Sequence, residues 1–137
     1  MKFKYFNYNP EMQTFKSGKP KSWYVRDSAI RAISCAIEKD WENVFEQLYS
    51  IAKNKHDMID SKPVVNEMLL SNNFCYDTFG KPTSGQKRPT VEQFVNEYTN
   101  GTYVLYLRDY YVCVKDGVLY DVCESTNDSV YSYWKLE

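Results

Sequence analysis

A serine stands at the start of a predicted helix, where an enzyme often places a reactive side chain. Ser28 lies in the stretch YVRDSAIRAIS, residues 24–34, directly after Asp27 and before apolar residues at helical spacing. The N–H groups of a first helical turn stabilise negative charge, so a hydroxyl here could act as a nucleophile if a base lay beside it. Ser28 could equally help Asp27 to cap the helix, or could stand where another reactive group stood before.

Few other residues offer catalytic or metal-binding chemistry. The one histidine, His56, lies in the polar segment AKNKHDM, and no motif connects it with Ser28. The four cysteines lie far apart in the sequence, without a CxxC pair: Cys35, Cys75, Cys113 and Cys123. Structural zinc sites combine several cysteine or histidine ligands at short spacings, so we predict no metal and no cofactor. Each cysteine is expected to be a small buried hydrophobic residue.

The residues up to position 73 predict three helices. Asp27, Asp40 and Ser61 are favourable N-caps, and each precedes apolar residues that recur every three or four positions. Pro63 fits the first turn of the third helix, because the N–H that proline lacks would have no partner there. The helical part is therefore placed at about 27–73.

A polar segment, GKPTSGQKRP at 80–89, predicts a loop between the two halves of the chain. One further short helix is expected directly after it. Thr90 and Gln93 have the spacing of a capping box, in which each side chain bonds to the backbone of the other residue.

From about residue 102 to 136 the hydrophobic period changes to two. The runs TYVLYLRD, YYVCVKDGVLYDVC and SVYSYWKL predict strands, and Asp116-Gly117 predicts a tight hairpin turn. Helices followed by strands are typical of an α+β domain. We therefore expect a single domain over 1–137, in which N-terminal helices pack on a C-terminal antiparallel sheet.

Composition and charge narrow the function classes. A chain of 137 residues with 43% hydrophobic content is expected to bury one core. Residues 1–31 hold seven basic and two acidic residues, whereas 109–137 hold six acidic and two basic ones, so the two ends could attract each other or contact separate partners. The sequence has no dense basic patch of the kind that nucleic-acid-binding proteins usually carry, so nucleic acid is not the expected partner. The first residues do not resemble a signal peptide, and no apolar run approaches the roughly 20 residues of a membrane span. We therefore expect a cytoplasmic protein with reduced thiols.

Several segments occur in a specific order and spacing along most of the chain. They are DSAIRAIS, WENVFEQL and DMIDSKPV in the first half, and TVEQFVNEYTNGTYVL, DGVLYDV and a terminal aromatic strand in the second. This order resembles a family of small phage and prophage proteins with a papain-like cysteine-peptidase fold. The resemblance implies a papain-like form of the α+β fold.

The resemblance also implies where a catalytic triad would lie. In the family a cysteine opens the first helix, a histidine acts as general base, and an acid orients that histidine. The matching positions here are Ser28, Tyr110 and Asp121, so only the acid remains, and Cys123 replaces a tryptophan that often follows it. A serine hydroxyl needs a base to remove its proton, and a phenol with an ordinary pKa near ~10 holds its own proton at neutral pH. Triad-type hydrolysis is therefore not expected.

We accordingly expect a catalytically inactive papain-like protein that binds another protein of a phage or of its bacterial host. Inhibition of a bacterial defence system, such as an anti-CRISPR activity, is one concrete form of that role. The contact would use the old substrate groove or a tyrosine-rich face of the sheet. The tyrosines expected on that face are Tyr106, Tyr110, Tyr111, Tyr131 and Tyr133.

Other interpretations stay open at this stage. The chain could be a peptidase, deamidase or transferase that uses Ser28 or a cysteine such as Cys35, or it could be a structural component of a virion. The oligomeric state is also open. In purely structural roles, Ser28 would cap the first helix, Tyr110 would pack in the former cleft, and Asp121 would pair with Arg31 or with Tyr110.

Overall fold

The computed structural model describes residues 3–9, 26–79 and 87–137. Most of the predicted loop, residues 80–86, lies outside the described residues. The described residues form four helices and six strands, which in chain order are β1 (Phe3–Tyr5), α1 (Ser28–Ile37), α2 (Trp41–Lys55), α3 (Lys62–Ser71), β2 (Phe74–Thr78), α4 (Val91–Glu97), β3 (Thr102–Leu107), β4 (Tyr110–Lys115), β5 (Val118–Asp121) and β6 (Ser132–Leu136).

The predicted helices are confirmed, and local capping contacts explain where three of them begin. Asp40 accepts a hydrogen bond from the backbone N–H of the third residue of α2, and Ser61 does the same for α3. Thr90 and Gln93 form the complete capping box at the start of α4. Each of these side chains satisfies an N–H that a helix cannot pair internally.

Asp27 departs from this rule, and the prediction that its side chain caps α1 is wrong. Asp27 precedes the helix, but its carboxylate makes no hydrogen bond to the N–H groups of the first turn. It pairs instead with Arg31, one turn further along α1. A buried guanidinium needs a charged partner more than the helix needs a side-chain cap, since an unpaired buried charge costs more than an unpaired N–H.

The sheet contains six strands in the order β1-β5-β4-β3-β6-β2. Within the strands β3 to β6 each strand is antiparallel to its neighbours, as predicted for residues 102–136. The whole sheet is nevertheless mixed, because β1 pairs with β5 in parallel and β2 joins the opposite edge from the helical half of the chain. The prediction of a purely antiparallel C-terminal sheet therefore needs correction. These two edge strands are short, with three and five residues, and give weak sequence signals.

The hairpin between β4 and β5 has the predicted turn. Asp116 and Gly117 have φ angles of 48° and 73°, the left-handed values that a two-residue hairpin of this type requires. The Asp116 carboxylate accepts a hydrogen bond from the Gly101 N–H at 2.9 Å, and the Gly101 carbonyl accepts one from the Asp116 N–H at 2.8 Å. The turn is thus tied to the start of β3.

Helices cover both faces of the sheet. On one face α1 packs against β4, and α2 and α3 pack behind and beside it around the fully buried Trp134. On the other face α4 covers a second core that includes Phe94 and Leu105. The packing of the sheet on the first helix is therefore confirmed. In the described part of the chain no helix is long and apolar enough to cross a membrane.

Candidate functional site

The Ser28 hydroxyl contacts the backbone of the sheet. The N-terminus of α1 meets the start of β4, and there the Ser28 Oγ accepts a hydrogen bond from the Tyr111 N–H at 3.1 Å. This bond joins two elements that are 83 residues apart in the sequence. Ser28 therefore helps to hold the start of the helix on the sheet.

Tyr110, at the position where the sequence resemblance predicts a general base, bonds to two charged neighbours. Its hydroxyl donates a hydrogen bond to Asp121 Oδ2 at 2.7 Å and accepts one from Arg31 Nη2 at 2.8 Å. Burial and the negative charge of Asp121 raise the pKa of the Tyr110 phenol well above its ordinary value, although Arg31 opposes them. The phenol is neutral at physiological pH and cannot take a proton from Ser28.

Arg31 is the centre of this buried cluster. Only 3% of its side chain is exposed, and its guanidinium pairs with Asp27 through Nη1 and lies 3.6 Å from Asp121 Oδ1 through Nε. Burial lowers the pKa of Arg31, but Tyr110, Asp121 and Asp27 together outweigh that effect and raise it. Burial raises the pKa of Asp121 above its ordinary value despite the attraction of Arg31. The cluster thus holds one cation between two carboxyl groups.

Asp27 extends the cluster to two further elements. Its Oδ2 accepts hydrogen bonds from the Asn9 amide at 2.8 Å and from the Trp41 indole N–H at 3.0 Å. The segment after β1, the start of α1 and the start of α2 therefore meet at one buried carboxylate. Sequence analysis missed these contacts, although an arginine within the apolar run AIRAI, four residues after an aspartate, was a signal for a buried ion pair.

The structure brings two of the three predicted triad positions into direct contact. Tyr110 and Asp121 bond to each other, and the predicted pairing of Asp121 with Arg31 or Tyr110 is confirmed for both. Ser28 bonds to the residue next to Tyr110 and not to its side chain. His56 is exposed at the C-terminal end of α2.

A cleft of about 290 Å³ opens beside Ser28, between the starts of α1 and α3 and the β3–β4 turn. The Tyr111 hydroxyl donates to the Asp60 carbonyl at 3.2 Å and closes one side of the cleft. The charged and aromatic side chains that line it are Arg26, Asp60, Lys62, Tyr106, Asp109 and Tyr111. The cleft therefore presents two aromatic rings and charges of both signs next to the serine.

The five tyrosines predicted to share a binding face do not form one exposed surface. Tyr106 and Tyr111 pack edge to face on the α1 side of the sheet, with ring centroids 5.2 Å apart. Tyr133 is buried in the core under α4, and Tyr110 belongs to the Arg31 cluster. Tyr131 lies 6.3 Å from Tyr106, ring to ring. Side chains alternate between the two faces of a strand, and this alternation separates the five tyrosines.

The cysteines offer no second site among the described residues. Cys35 and Cys113 are buried together between α1 and β4, where a hydrogen bond from Cys113 lowers the pKa of the Cys35 thiol. With 1% exposure, Cys35 cannot meet a substrate, which counts against its use as a nucleophile. Cys75 is exposed on β2, against the expectation of burial. In the described ranges no group of three or more side chains could hold a metal ion.

Comparison with known proteins finds no matching protein family, no matching curated protein and no matching solved structure. The resemblance to papain-like phage proteins accordingly rests on the sequence motifs, and the geometry around Ser28 is the basis for assigning a function.

Proposed function

We propose that the protein is a non-catalytic binding protein with a papain-like fold, and that it contacts another protein through the cleft beside Ser28. One observation carries this proposal. Where a papain-like enzyme needs a general base, this chain has a phenol whose hydroxyl is held by Asp121 and Arg31 at 2.7 and 2.8 Å. In an enzyme, the residues at these positions would activate the nucleophile. Here Tyr110, Asp121 and Arg31 bond to one another and stabilise the fold.

The other groups around Ser28 do not replace the missing base. The titratable side chains of the cleft, apart from its tyrosines, are two carboxylates and two cations. A carboxylate is a weak base for a serine hydroxyl, and a protonated lysine or a guanidinium is none. The Ser28 oxygen also accepts a hydrogen bond from the Tyr111 N–H, which reduces its nucleophilicity.

The same cleft is well suited to bind a peptide segment. The partly exposed ring of Tyr106 provides rigid aromatic surface over the buried Tyr111, and residues of this type dominate the binding energy of many protein interfaces. Arg26 and Lys62 can meet acidic groups of a partner, while Asp60 and Asp109 can meet basic ones. Aromatic surface together with charges of both signs fits a protein partner better than a nucleic acid.

The motif resemblance supports a more specific form of the proposal. A phage or prophage protein that retains a peptidase scaffold without its chemistry is suited to block a host protein in the bacterial cytoplasm. Inhibition of a defence system, such as an anti-CRISPR activity, is the form we propose.

A labelling experiment tests the loss of catalysis. The purified protein is treated with a serine-directed fluorophosphonate and with a thiol-directed reagent, and modified residues are located by mass spectrometry. We expect no labelling at Ser28 and no rapid labelling at any buried cysteine. Stoichiometric labelling at Ser28 that is lost in Ser28→Ala would contradict the proposal and would favour a hydrolase.

A double variant tests whether the former geometry remains. In Ser28→Cys with Tyr110→His, the new thiol stands at a helix N-terminus, and Asp121 can orient the new imidazole. We expect this thiol to react faster with iodoacetamide than the thiol of Ser28→Cys alone. Equal rates in the two variants would show that the histidine position does not act on residue 28.

A capture experiment tests the cleft as the binding surface. The immobilised protein is exposed to lysate of a bacterial host, alongside the variants Tyr106→Ala and Arg26→Glu. The matched control is Tyr49→Ala, because Tyr49 is 55% exposed on α2 and does not line the cleft. We expect the wild type and the control to retain the same protein and the two cleft variants to lose it. Equal retention by all four would place the contact elsewhere.

A further inference from the structure

A second cavity, of about 370 Å³, adjoins the cleft beside Ser28. It lies between the start of α3 and the strands β2 and β6, and carbon atoms form most of its lining. Its lining residues are Lys62, Pro63, Asn66, Tyr76 and Trp134. Lys62 lines the cleft as well, so the two cavities meet at this residue. We call the two cavities together the groove, and a segment that fills both of them must pass over Lys62.

Lys62 is held between two aromatic rings where the cavities meet. Its ammonium lies 4.9 Å from the centre of the Tyr106 ring and 5.1 Å from the centre of the Tyr76 ring. The face of each ring attracts a cation. Burial raises the pKa of the Tyr76 phenol, but the neighbouring groups, Lys62 first among them, lower it below its ordinary value. The two tyrosines therefore fix the position of the ammonium.

The charge of Lys62 is not neutralised within the described part of the chain. Every ion pair found there has another cation, so the two aspartates of the cleft, Asp60 and Asp109, leave Lys62 unpaired. An ammonium has three N–H donors, and contact with one phenol leaves donors for another molecule. Lys62 is also the first residue of α3, where the partial positive charge of the helix disfavours a cation. An anionic group of a partner would offset this repulsion.

The second cavity suits an apolar side chain. Tyr76 is 42% exposed and packs on the fully buried Trp134, with ring centroids 5.2 Å apart. The Trp134 indole N–H donates to Asn66 Oδ1 at 2.9 Å, so the only polar atom of the indole has its partner. An aromatic or large aliphatic side chain would remove the exposed apolar surface from water and leave no indole N–H unpaired.

We propose that the groove binds an acidic segment of the partner protein. A carboxylate of this segment bonds to Lys62, and a nearby aromatic or large aliphatic side chain fills the cavity beside Tyr76. The inference rests on the binding function proposed above, because the cleft beside Ser28 is one half of the groove. It adds the chemistry by which the partner is recognised.

A nucleic acid fits the groove less well than an acidic peptide. A phosphate could also bond to Lys62, but Asp60 and Asp109 line the same groove and would repel a row of phosphates. A peptide can place one carboxylate at Lys62 and neutral or basic groups elsewhere. The mixed charges of the groove therefore favour a single acidic residue within an otherwise apolar or mixed segment.

Selection from a library of random linear peptides displayed on yeast tests the proposal. The baits are the purified full-length protein and its variant Lys62→Glu. We expect the wild type to enrich peptides that carry Asp or Glu close to an aromatic or large aliphatic residue, and the variant to enrich peptides with Lys or Arg in place of the acid. An acidic residue is favourable in the first turn of a helix, so Lys62→Glu should keep the native fold.

Fluorescence polarisation with the enriched peptides measures the size of the effect. An acidic peptide should bind Lys62→Glu at least about tenfold more weakly than the wild type, and exchange of its acid for lysine should restore binding to the variant. Tyr76→Ala should also weaken the acidic peptide, with circular dichroism as the check on its fold. The matched controls Lys53→Glu and Tyr49→Ala, at exposed positions of α2 outside both cavities, should bind like the wild type.

The outcomes separate this inference from the function on which it rests. Peptides that depend on Tyr106 but lack an acidic residue, or that bind Lys62→Glu as well as the wild type, overturn the acidic segment and leave the binding function in place. Acidic peptides that bind equally well to natively folded Tyr76→Ala overturn the second cavity as the apolar contact. A wild type that enriches no peptide contradicts both the inference and the binding function.

Discussion

Tyr110 joins two oppositely charged side chains in a buried cluster. Its hydroxyl oxygen is a donor to Asp121 and an acceptor from Arg31 at the same time, which an apolar ring could not reproduce. The phenol therefore completes the partners of a buried guanidinium. Where a base would exchange protons with a nucleophile, this group keeps its proton and links α1 to β4.

Removal of that hydroxyl should destabilise the protein without unfolding it. Tyr110→Phe leaves Arg31 Nη2 and Asp121 Oδ2 each short of one buried partner, so we expect the free energy of unfolding to fall by about 1–3 kcal/mol. Arg31→Met leaves two buried carboxyl groups without their cation and should cost about 3–5 kcal/mol.

Urea denaturation followed by circular dichroism measures both changes. Tyr49→Phe, at an exposed position of α2, serves as the control and should stay within about 0.5 kcal/mol of the wild type. If the free energy of unfolding falls no further in Tyr110→Phe than in this control, the Tyr110 hydroxyl contributes no net stability.

The buried Asp121 carboxyl should leave a signature in the pH dependence of stability. Burial raises its folded-state pKa above the ordinary value of 3.8, so the fold favours the protonated form. Its contribution to stability is fully present below pH 3.8 and is lost as the pH rises through the higher folded-state pKa. The wild type should therefore lose stability relative to Asp121→Asn between about pH 3 and about pH 7.

Urea denaturation of both proteins across this range measures the difference. The exposed variant Glu46→Gln is the control for charge removal in general. A wild type that instead gains stability relative to Asp121→Asn as the pH rises would show that Arg31 and Tyr110 outweigh burial.

At the scale of elements, the helix starts and the hairpin depend on contacts between residues close in sequence. The capping box of α4 spans four residues, and the β4–β5 turn depends on two residues with left-handed backbone angles. The short edge strands behave differently. β2 has one buried side chain in five and is held in the sheet by β6, which lies more than 50 residues later.

The hairpin offers a test of local strain. Gly117 has a φ of +73°, and a Cβ added there would lie 3.3 Å from the Val95 carbonyl oxygen. Gly117→Ala therefore combines an unfavourable backbone angle with a close contact and should lower the free energy of unfolding by about 1–2 kcal/mol. Asp116→Asn keeps a residue that tolerates the left-handed region and should change it by less than about 0.5 kcal/mol. Equal effects of the two substitutions in urea denaturation would contradict this account.

At the scale of the whole molecule, the aromatic side chains stabilise two cores instead of forming one outer surface. Phe94, Tyr103 and Tyr133 pack against one another under α4, with centroid distances between 5.2 and 6.1 Å. On the other face Tyr111 lies 6.1 Å from Trp134. The high tyrosine content therefore serves mainly to fill the two layers around the sheet, where a ring can be buried while its hydroxyl finds a partner.

Alkaline titration should reveal these buried phenols. Burial is the largest cause that raises the pKa of four tyrosines, namely Tyr8, Tyr110, Tyr111 and Tyr133. Because their folded-state pKa values exceed the unfolded value of about 10, the stability they contribute is present below that pH and is lost above it. We expect phenolate absorbance to rise in two stages, the second together with loss of the circular dichroism signal.

The chain unfolded in guanidinium chloride is the control for this titration and should titrate in one stage near about pH 10. A single stage in the folded protein, completed before any change in circular dichroism, would show that these hydroxyl groups are open to solvent.

The sequence by itself determined the α2, α3 and α4 starts, the Asp116-Gly117 hairpin and the four antiparallel strands, since caps, turns and alternating patterns act within a few residues. Its motifs resemble those of papain-like phage proteins, and the placement of Ser28 and Tyr110 at the positions of a cysteine and a histidine stays a prediction from that resemblance. Their actual contacts could not be predicted in this way. Arg31 and Tyr110 are 79 residues apart, and Ser28 and Tyr111 are 83 apart.

Only the tertiary structure decided that Asp27 serves Arg31 instead of the helix, that β1 and β2 complete a mixed sheet, and that the tyrosines divide between two faces. The physical reason is the same in each case. The free energy of a buried charge, of an edge strand or of an aromatic ring depends on which distant residues surround it, and folding alone brings those residues together.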